Sequence, residues 1–243
     1  MVCTGDIFQG LSAVERAHLR ELTTLFLHRK SLSGEQGLIV STEIALAVAT
    51  QACLLILKLG MDYYDGWVEV IIYPSTFQVM HDKSDSTGLI SRQAQTLSGE
   101  SWARGPVILS WDDVALGLSG GCAGNNVVIH EFAHKLDSLN GSANGMPPVH
   151  AEMHPSTWAS TFTEAFKQLQ HQLKHHHPKI NPYAATSPAE FFAVTSEYFF
   201  AAPQRLYDFS AAVYEQLALF YRQDPIDRWS TSIHEVSFKS TDS

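Results

Sequence analysis

The chain has 243 residues, 45% of them hydrophobic and 17% charged, and its formal net charge is -9. This length holds one substantial domain or two small ones, and the composition is that of an ordinary globular protein. Binding to phosphate groups requires clustered lysine and arginine side chains, which this acidic sequence lacks, so we expect no direct contact with nucleic acid.

The cysteine content and the apolar segments indicate where the protein works. Its three cysteines are scattered and form no paired motif, which is typical of a reducing compartment. The N-terminus shows no secretory signal. The longest apolar stretch, Ile44 to Leu59, is interrupted by Thr50, Gln51 and Lys58 and is too short to span a bilayer. We therefore expect a soluble, cytoplasmic protein without a membrane partner.

The N-terminal half is predicted to contain two helices and two strands. Ser12 and Glu15 form a capping box, and apolar residues with a helical period follow it, so a first helix begins here. The other elements predicted for this half are a helix at about 42–59, strands at 68–73 and 107–111, and an irregular strand or edge hairpin within about 81–104.

The C-terminal half is predicted to be helical. Asn125 or Asn126 can cap a helix that runs to about Leu139, after a glycine-containing loop. Three further helices are predicted at about 157–174, 187–201 and 209–222. Since no linker clearly divides the chain, we expect a single α+β domain over residues 1–243, with a core at 11–228, flexible termini and a small mixed β-sheet.

The run from His130 to His134 is the segment most indicative of function. It spells His-Glu-x-x-His after three apolar residues, and positions four apart lie on one face of a helix. Both imidazoles can therefore bind one metal ion, and Glu131 beside them can take a proton from the attacking water. This arrangement is typical of zinc hydrolases and predicts one bound zinc ion. Asp137, one turn after His134, is a candidate acceptor for the second ring nitrogen of that histidine.

A catalytic zinc site needs a third protein ligand. A third histidine six residues after the second is excluded, since that position is Asn140. A later segment offers Glu190 and Glu197, which are seven residues apart and share a helical face. Spacing alone does not separate them, and Ser187 with Glu190 also forms a capping box. Whichever glutamate is not the ligand is expected to orient a histidine through its free ring nitrogen.

Several stretches of the chain together resemble one protein family. They are Asp65–Trp67, Glu69–Pro74, Gly105–Trp111, His130–Asp137, Tyr183–Ala185, Pro188–Phe200 and Phe220–Pro225. They resemble the Mlc titration factor A family, whose members are bacterial zinc metallopeptidases. The similarity covers roughly residues 11–228. The metal-binding core of that family is in turn similar to the catalytic domain of anthrax lethal factor.

The resemblance implies a mainly helical, zincin-type metallopeptidase domain. It assigns the third zinc ligand to Glu190, since this glutamate follows the Pro-Ala pair of the family. It also assigns a catalytic role to Tyr183, which precedes Glu190 by seven residues as the corresponding tyrosine does in lethal factor. Its phenol would donate a hydrogen bond to the developing oxyanion. The implied metal ligands are thus His130, His134 and Glu190, and the implied catalytic residues are Glu131 and Tyr183.

The family also implies a substrate and a partner. Activity on short peptides from the amino end predicts an aminopeptidase, although the carboxylate that would bind the α-amine is not identifiable from the sequence. The family is named for titrating the repressor Mlc, a regulator of glucose-uptake genes, so a glucose-responsive transcriptional repressor is a predicted partner. The alternative is a non-catalytic, zinc-containing protein that sequesters this repressor.

Overall fold

The computed structural model describes residues 7–75, 105–118, 124–175 and 177–230. The elements of the first half are α1 (Ala13–Arg29), β1 (Ser31–Gly34), α2 (Thr42–Leu55), a 3-10 helix (Met61–Tyr64), β2 (Glu69–Tyr73), β3 (Val107–Ser110) and α3 (Trp111–Leu118). Those of the second half are α4 (Val127–Asp137), a 3-10 helix (Ser138–Asn140), α5 (Pro155–Lys174), a 3-10 helix (Pro182–Ala185), α6 (Pro188–Ala201), α7 (Pro203–Phe209) and α8 (Ala211–Tyr221).

The predicted α+β architecture with a helical C-terminal half is confirmed by these elements. The sheet has the order β1-β2-β3, and both strand pairs are parallel. In the middle strand, Val70 and Ile72 are buried while Glu69 is exposed, the alternation expected when helices cover one face of a sheet. We expected a mixed sheet; the described strands are all parallel, and the hairpin predicted within 81–104 lies outside the described residues.

Helix α4 lies at the centre of the helical packing, in contact with α6, α2 and β3. Its Phe132 packs into an aromatic cluster with Phe26, Tyr64 and Trp67, whose ring centroids are 5.2 to 5.7 Å from its own. Phe132 follows His130 by two residues and therefore points away from the histidine face of the helix. This buried anchor fixes the orientation in which α4 presents its histidines. Among the described residues, no helix is long and apolar enough to cross a membrane.

Three boundaries differ from the prediction. Helix α2 ends at Leu55 instead of continuing to Leu59, because the chain turns there. Helix α3 occupies residues predicted as a strand end and a loop, and it begins where Ser110 Oγ accepts a hydrogen bond from the Asp113 amide. The last predicted helix, at about 209–222, begins at Ala211 as α8, and the short α7 before it was not predicted; Ser210 lies between them, and its hydroxyl caps α8.

Candidate metal centre

Helix α4 carries both motif histidines, and its first turn is held by Asn126. The Oδ1 atom of Asn126 accepts a hydrogen bond of 3.0 Å from the Ile129 amide, so the second of the two candidate asparagines is the cap. One turn further along, the Nε2 atoms of His130 and His134 lie 3.2 Å apart. The helical period thus brings both imidazoles to one point.

Helix α6 contributes Glu190 to the same point. Pro188 begins this helix, and Ser187 Oγ accepts a hydrogen bond of 3.1 Å from the Glu190 amide. The carboxylate itself points at the histidines, since its Oε2 lies 3.0 Å from His130 Nε2 and 3.4 Å from His134 Nε2. Within the described part of the chain, these three side chains form the one histidine–carboxylate group close enough to hold a metal ion.

The spacing of these donor atoms suits a tetrahedral zinc ion. Zinc lies ~2.0–2.2 Å from imidazole nitrogens and carboxylate oxygens, so the edges of its coordination tetrahedron are roughly 3.3–3.6 Å. The three observed separations of 3.0, 3.2 and 3.4 Å are close to those edges. Glu190 Oε2 is also buried without a well-oriented hydrogen bond from any described residue. A buried carboxylate oxygen in that state is costly unless it binds a cation, so the residues present fit the metal.

The carboxylates of the centre favour a positive charge at the point where the two histidines and Glu190 meet. Burial alone would lower the pKa of His130, but the adjacent carboxylates of Glu190 and Glu197 outweigh burial and raise that pKa to about 10. Burial alone would raise the pKa of Glu190, but His130 and His134 hold it well below its usual range. The cluster therefore favours an ionised carboxylate beside a cation.

Glu197 lies behind His130 and outside the donor cluster. Its Oε1 is 2.8 Å from His130 Nδ1, and its Oε2 accepts a hydrogen bond from the Asn126 amide. The Asn126 side chain in turn donates to Gln51 Oε1 at 2.7 Å. A carboxylate on Nδ1 orients the imidazole so that Nε2 faces the cluster, which is the arrangement expected for the glutamate that is not a ligand. Sequence reasoning missed Gln51, although a polar residue within an apolar helix signals such a network.

Asp137 hydrogen-bonds to the loop that follows α4 instead of orienting His134. It is fully buried, and its Oδ2 accepts a hydrogen bond of 2.8 Å from the Gly145 amide. Burial raises the pKa of Asp137 to about 6, against the opposing effects of loop amides and of His134. The predicted hydrogen bond to His134 is therefore replaced by one to the segment that follows α4.

That loop determines where α6 begins. Gly145 has a φ of 80°, and a Cβ atom on it would lie 2.4 Å from the carbonyl oxygen of Pro188. Its own carbonyl accepts a hydrogen bond of 2.9 Å from Trp158 Nε1. Only glycine combines this backbone conformation with so close an approach. Because Pro188 precedes Glu190 by two residues, the contact helps to set the position of the Glu190 carboxylate.

The two predicted catalytic residues adjoin the cluster. Glu131 is half-buried next to His130 on α4, and its charge contributes to the raised pKa of that histidine. Tyr183 lies on a 3-10 turn in which Asn181 Oδ1 accepts a hydrogen bond of 3.0 Å from its amide. The ring centroids of Tyr183 and His130 are 6.1 Å apart, and both residues line a cavity of about 240 Å³. A molecule in this cavity would contact both side chains.

Known proteins resemble this chain along most of its length. The family described as glucose-regulated metallopeptidase M90 matches residues 4–222. Mlc titration factor A of Salmonella paratyphi A is 38% identical over 232 residues, which cover 94% of this chain and 87% of that protein. The proteins of the same name from Salmonella arizonae and Klebsiella pneumoniae are 39% and 38% identical, over 90% and 91% of this chain and 88% and 84% of their own lengths.

These matches and the two-histidine, one-glutamate cluster define a metallopeptidase. Within that class, the chain belongs to the glucose-regulated metallopeptidase M90 family. Membership implies a divalent metal, and the three clustered side chains are a candidate site for it.

Replacement of Gly145 by alanine should displace the start of α6 and weaken metal binding. Backbone strain and the collision with Pro188 together predict a loss of about 2–6 kcal/mol in the free energy of unfolding. Gly141→Ala is the matched control, since its φ is 127° but nothing lies within 4 Å of the added Cβ. Urea denaturation and zinc titration of both variants test the prediction. Equal zinc affinity in the two variants would contradict a positioning role for Gly145.

Proposed function

We propose that this protein is a zinc-dependent aminopeptidase acting on short peptides, with one zinc ion held by His130, His134 and Glu190. The proposal is carried by the 3.0 to 3.4 Å spacing of their Nε2, Nε2 and Oε2 atoms. Three such donors leave the fourth position of a tetrahedral ion to water or substrate, as in catalytic zinc sites. Membership of a metallopeptidase family supports peptides as the substrate class.

The zinc ion, when bound, supplies Lewis acidity that polarises the scissile carbonyl and makes the attacking water more acidic. In the proposed reaction, Glu131 accepts the proton that this water loses as its oxygen bonds to the carbonyl carbon. Glu131 then transfers that proton to the nitrogen of the leaving amine as the carbon–nitrogen bond breaks. The Tyr183 hydroxyl donates a hydrogen bond to the carbonyl oxygen, whose negative charge grows in the transition state.

Glu131→Gln should retain zinc and lose hydrolysis by about 10²–10⁴-fold, because the amide cannot accept the proton from water. The measurement is release of product from free-amine short peptides, together with the zinc content of each protein. Glu164→Gln, on the exposed face of α5, makes the same substitution away from the centre and should retain full activity. Unchanged turnover by a zinc-loaded Glu131→Gln protein would contradict the mechanism.

Glu190→Ala should lower zinc affinity more than Glu197→Ala does. The first variant removes one of three donor atoms, whereas the second removes the hydrogen-bond acceptor of His130 Nδ1 and of the Asn126 amide and leaves all three donors, a loss that costs about 10–100-fold in affinity. Competition with a chromogenic chelator at fixed pH ranks the two proteins against wild type. A larger loss in Glu197→Ala would move the ligand assignment to the other glutamate.

The name of the relatives, Mlc titration factor A, favours a second role. We propose that this protein also binds a glucose-responsive transcriptional repressor of the Mlc kind, which requires the cytoplasmic location expected from the sequence. Such a role is compatible with peptidase activity and would also persist without it.

A pull-down with purified Mlc repressor tests this second role, using wild type and Glu131→Gln. We expect both proteins to retain the repressor, because the substitution removes one charge and leaves the rest of the surface intact. Capture by neither protein would contradict the role. Capture by both, with no peptide cleaved by wild type, would favour a non-catalytic binding protein instead. Cleavage of the repressor by wild type alone would make it a substrate.

A further inference from the structure

The cavity beside the metal centre has a mainly polar wall. Apolar side chains come from Leu116, Val127 and Val194, and they are outnumbered by the polar and charged ones of Asp113, Asn125, His130, Asn181, Tyr183 and Glu197. The volume of about 240 Å³ equals the liquid volume of ~8 water molecules, which is room for about one residue of a peptide. A wall so rich in hydrogen-bonding groups suits the amide and carbonyl groups of a peptide backbone.

Asn181 contributes a hydrogen-bond donor to this wall. Its Oδ1 accepts a hydrogen bond of 3.0 Å from the Tyr183 amide, so the oxygen of the side-chain amide faces the backbone and the nitrogen faces away. The Nδ2 atom makes no hydrogen bond with any residue that the structure describes, and it is accessible to solvent. Since Asn181 borders the cavity, its two side-chain N–H groups are available to a molecule bound there.

The position of Asn181 is fixed before any peptide binds. Its backbone amide donates a hydrogen bond of 3.2 Å to the hydroxyl of Tyr198, a buried residue of α6. The 3-10 helix that Asn181 caps packs against α6 as well, and α6 also carries Glu190. The donor and the candidate metal ligand are thus held by the same helix. A donor fixed in this way loses little conformational freedom when it binds a ligand.

We propose that Asn181 Nδ2 donates a hydrogen bond to a backbone carbonyl oxygen of the bound peptide other than the carbonyl attacked by water. Because Oδ1 is bonded back to the turn, Nδ2 stays beside the backbone, whereas the Tyr183 ring lies 6.1 Å from that of His130. The two side chains therefore serve different carbonyl groups. The inference rests on the proposed peptidase function and narrows its substrates to chains with at least one carbonyl beyond the scissile bond.

The test compares trialaninamide with alanine p-nitroanilide, whose one carbonyl is the scissile one, as substrates of the zinc-loaded protein. Asn181→Asp keeps the acceptor for the Tyr183 amide and replaces the N–H donor by a second acceptor. It should raise KM for trialaninamide, relative to KM for the anilide, roughly 2- to 10-fold, because one hydrogen bond to the peptide is lost. A displaced Tyr183 would instead lower kcat for both substrates and leave the ratio of the KM values unchanged.

A second variant, Asn181→Ser, removes the donor without adding charge. A serine hydroxyl can accept the Tyr183 amide in the same kind of turn but is too short to replace Nδ2. Asn144→Ser is the matched control: Asn144 Oδ1 accepts a hydrogen bond of 3.0 Å from the Met146 amide in an equivalent turn, and Asn144 is exposed and outside the cavity wall. It should retain the wild-type KM ratio. If Asn181→Asp and Asn181→Ser also retain that ratio, the inference is wrong.

Binding to a turnover-deficient protein separates this inference from the proposed function. Zinc-loaded Glu131→Gln is titrated calorimetrically with trialaninamide, alone and combined with Asn181→Ser or Asn144→Ser. Binding that is weakened by Asn181→Ser and not by Asn144→Ser supports the inference even if wild type cleaves neither substrate and the aminopeptidase proposal fails. Equal binding by all three proteins overturns the inference even if wild type is an active peptidase.

Discussion

Glu197 joins α6 to α4 through two hydrogen bonds, one with His130 Nδ1 and one from the Asn126 amide. Both partners belong to the first two turns of the motif helix, so one buried carboxylate fixes the position and the rotation of α6 against it. Glu190 lies about two turns earlier on α6 and is thereby placed at the Nε2 atoms of the histidines. A carboxylate is costly to bury unless it is paired, and here the pairing itself builds the centre.

Two further contacts stabilise the packing of α6 against α4. Phe132 anchors the opposite face of α4 in the aromatic cluster, which keeps the helix from turning about its axis. Gly145 lies between Asp137, which accepts its amide hydrogen bond, and the carbonyl of Pro188. The loop therefore links the end of the helix that carries the two histidines to the beginning of the helix that carries Glu190. The donor atoms are positioned by backbone packing at both ends, which reduces the rearrangement needed on binding a metal.

Features that depend on local spacing were predictable, and those that depend on how helices cross were not. The i and i+4 relation of the histidines and the asparagine cap follow from helical geometry. Glu190 and Glu197 share a face, so which one reaches the histidines depends on where α6 meets α4, and only the family resemblance favoured Glu190. Asp137 was misassigned because the loop after α4 folds back over it. Helix α3 is short and immediately follows a strand, so no periodic signal revealed it.

The domain is completed by contacts between segments that are far apart in the chain. Gln223 donates a hydrogen bond of 2.8 Å to the Leu54 carbonyl, and Arg228 donates one of 2.9 Å to the carbonyl of Ile7. Synthesis on the ribosome proceeds from the N-terminus, so the first helices emerge long before their C-terminal partners. The donor set is likewise incomplete until Glu190 has left the exit tunnel. The order of elements along the chain thus keeps the candidate ligands apart until α6 has emerged.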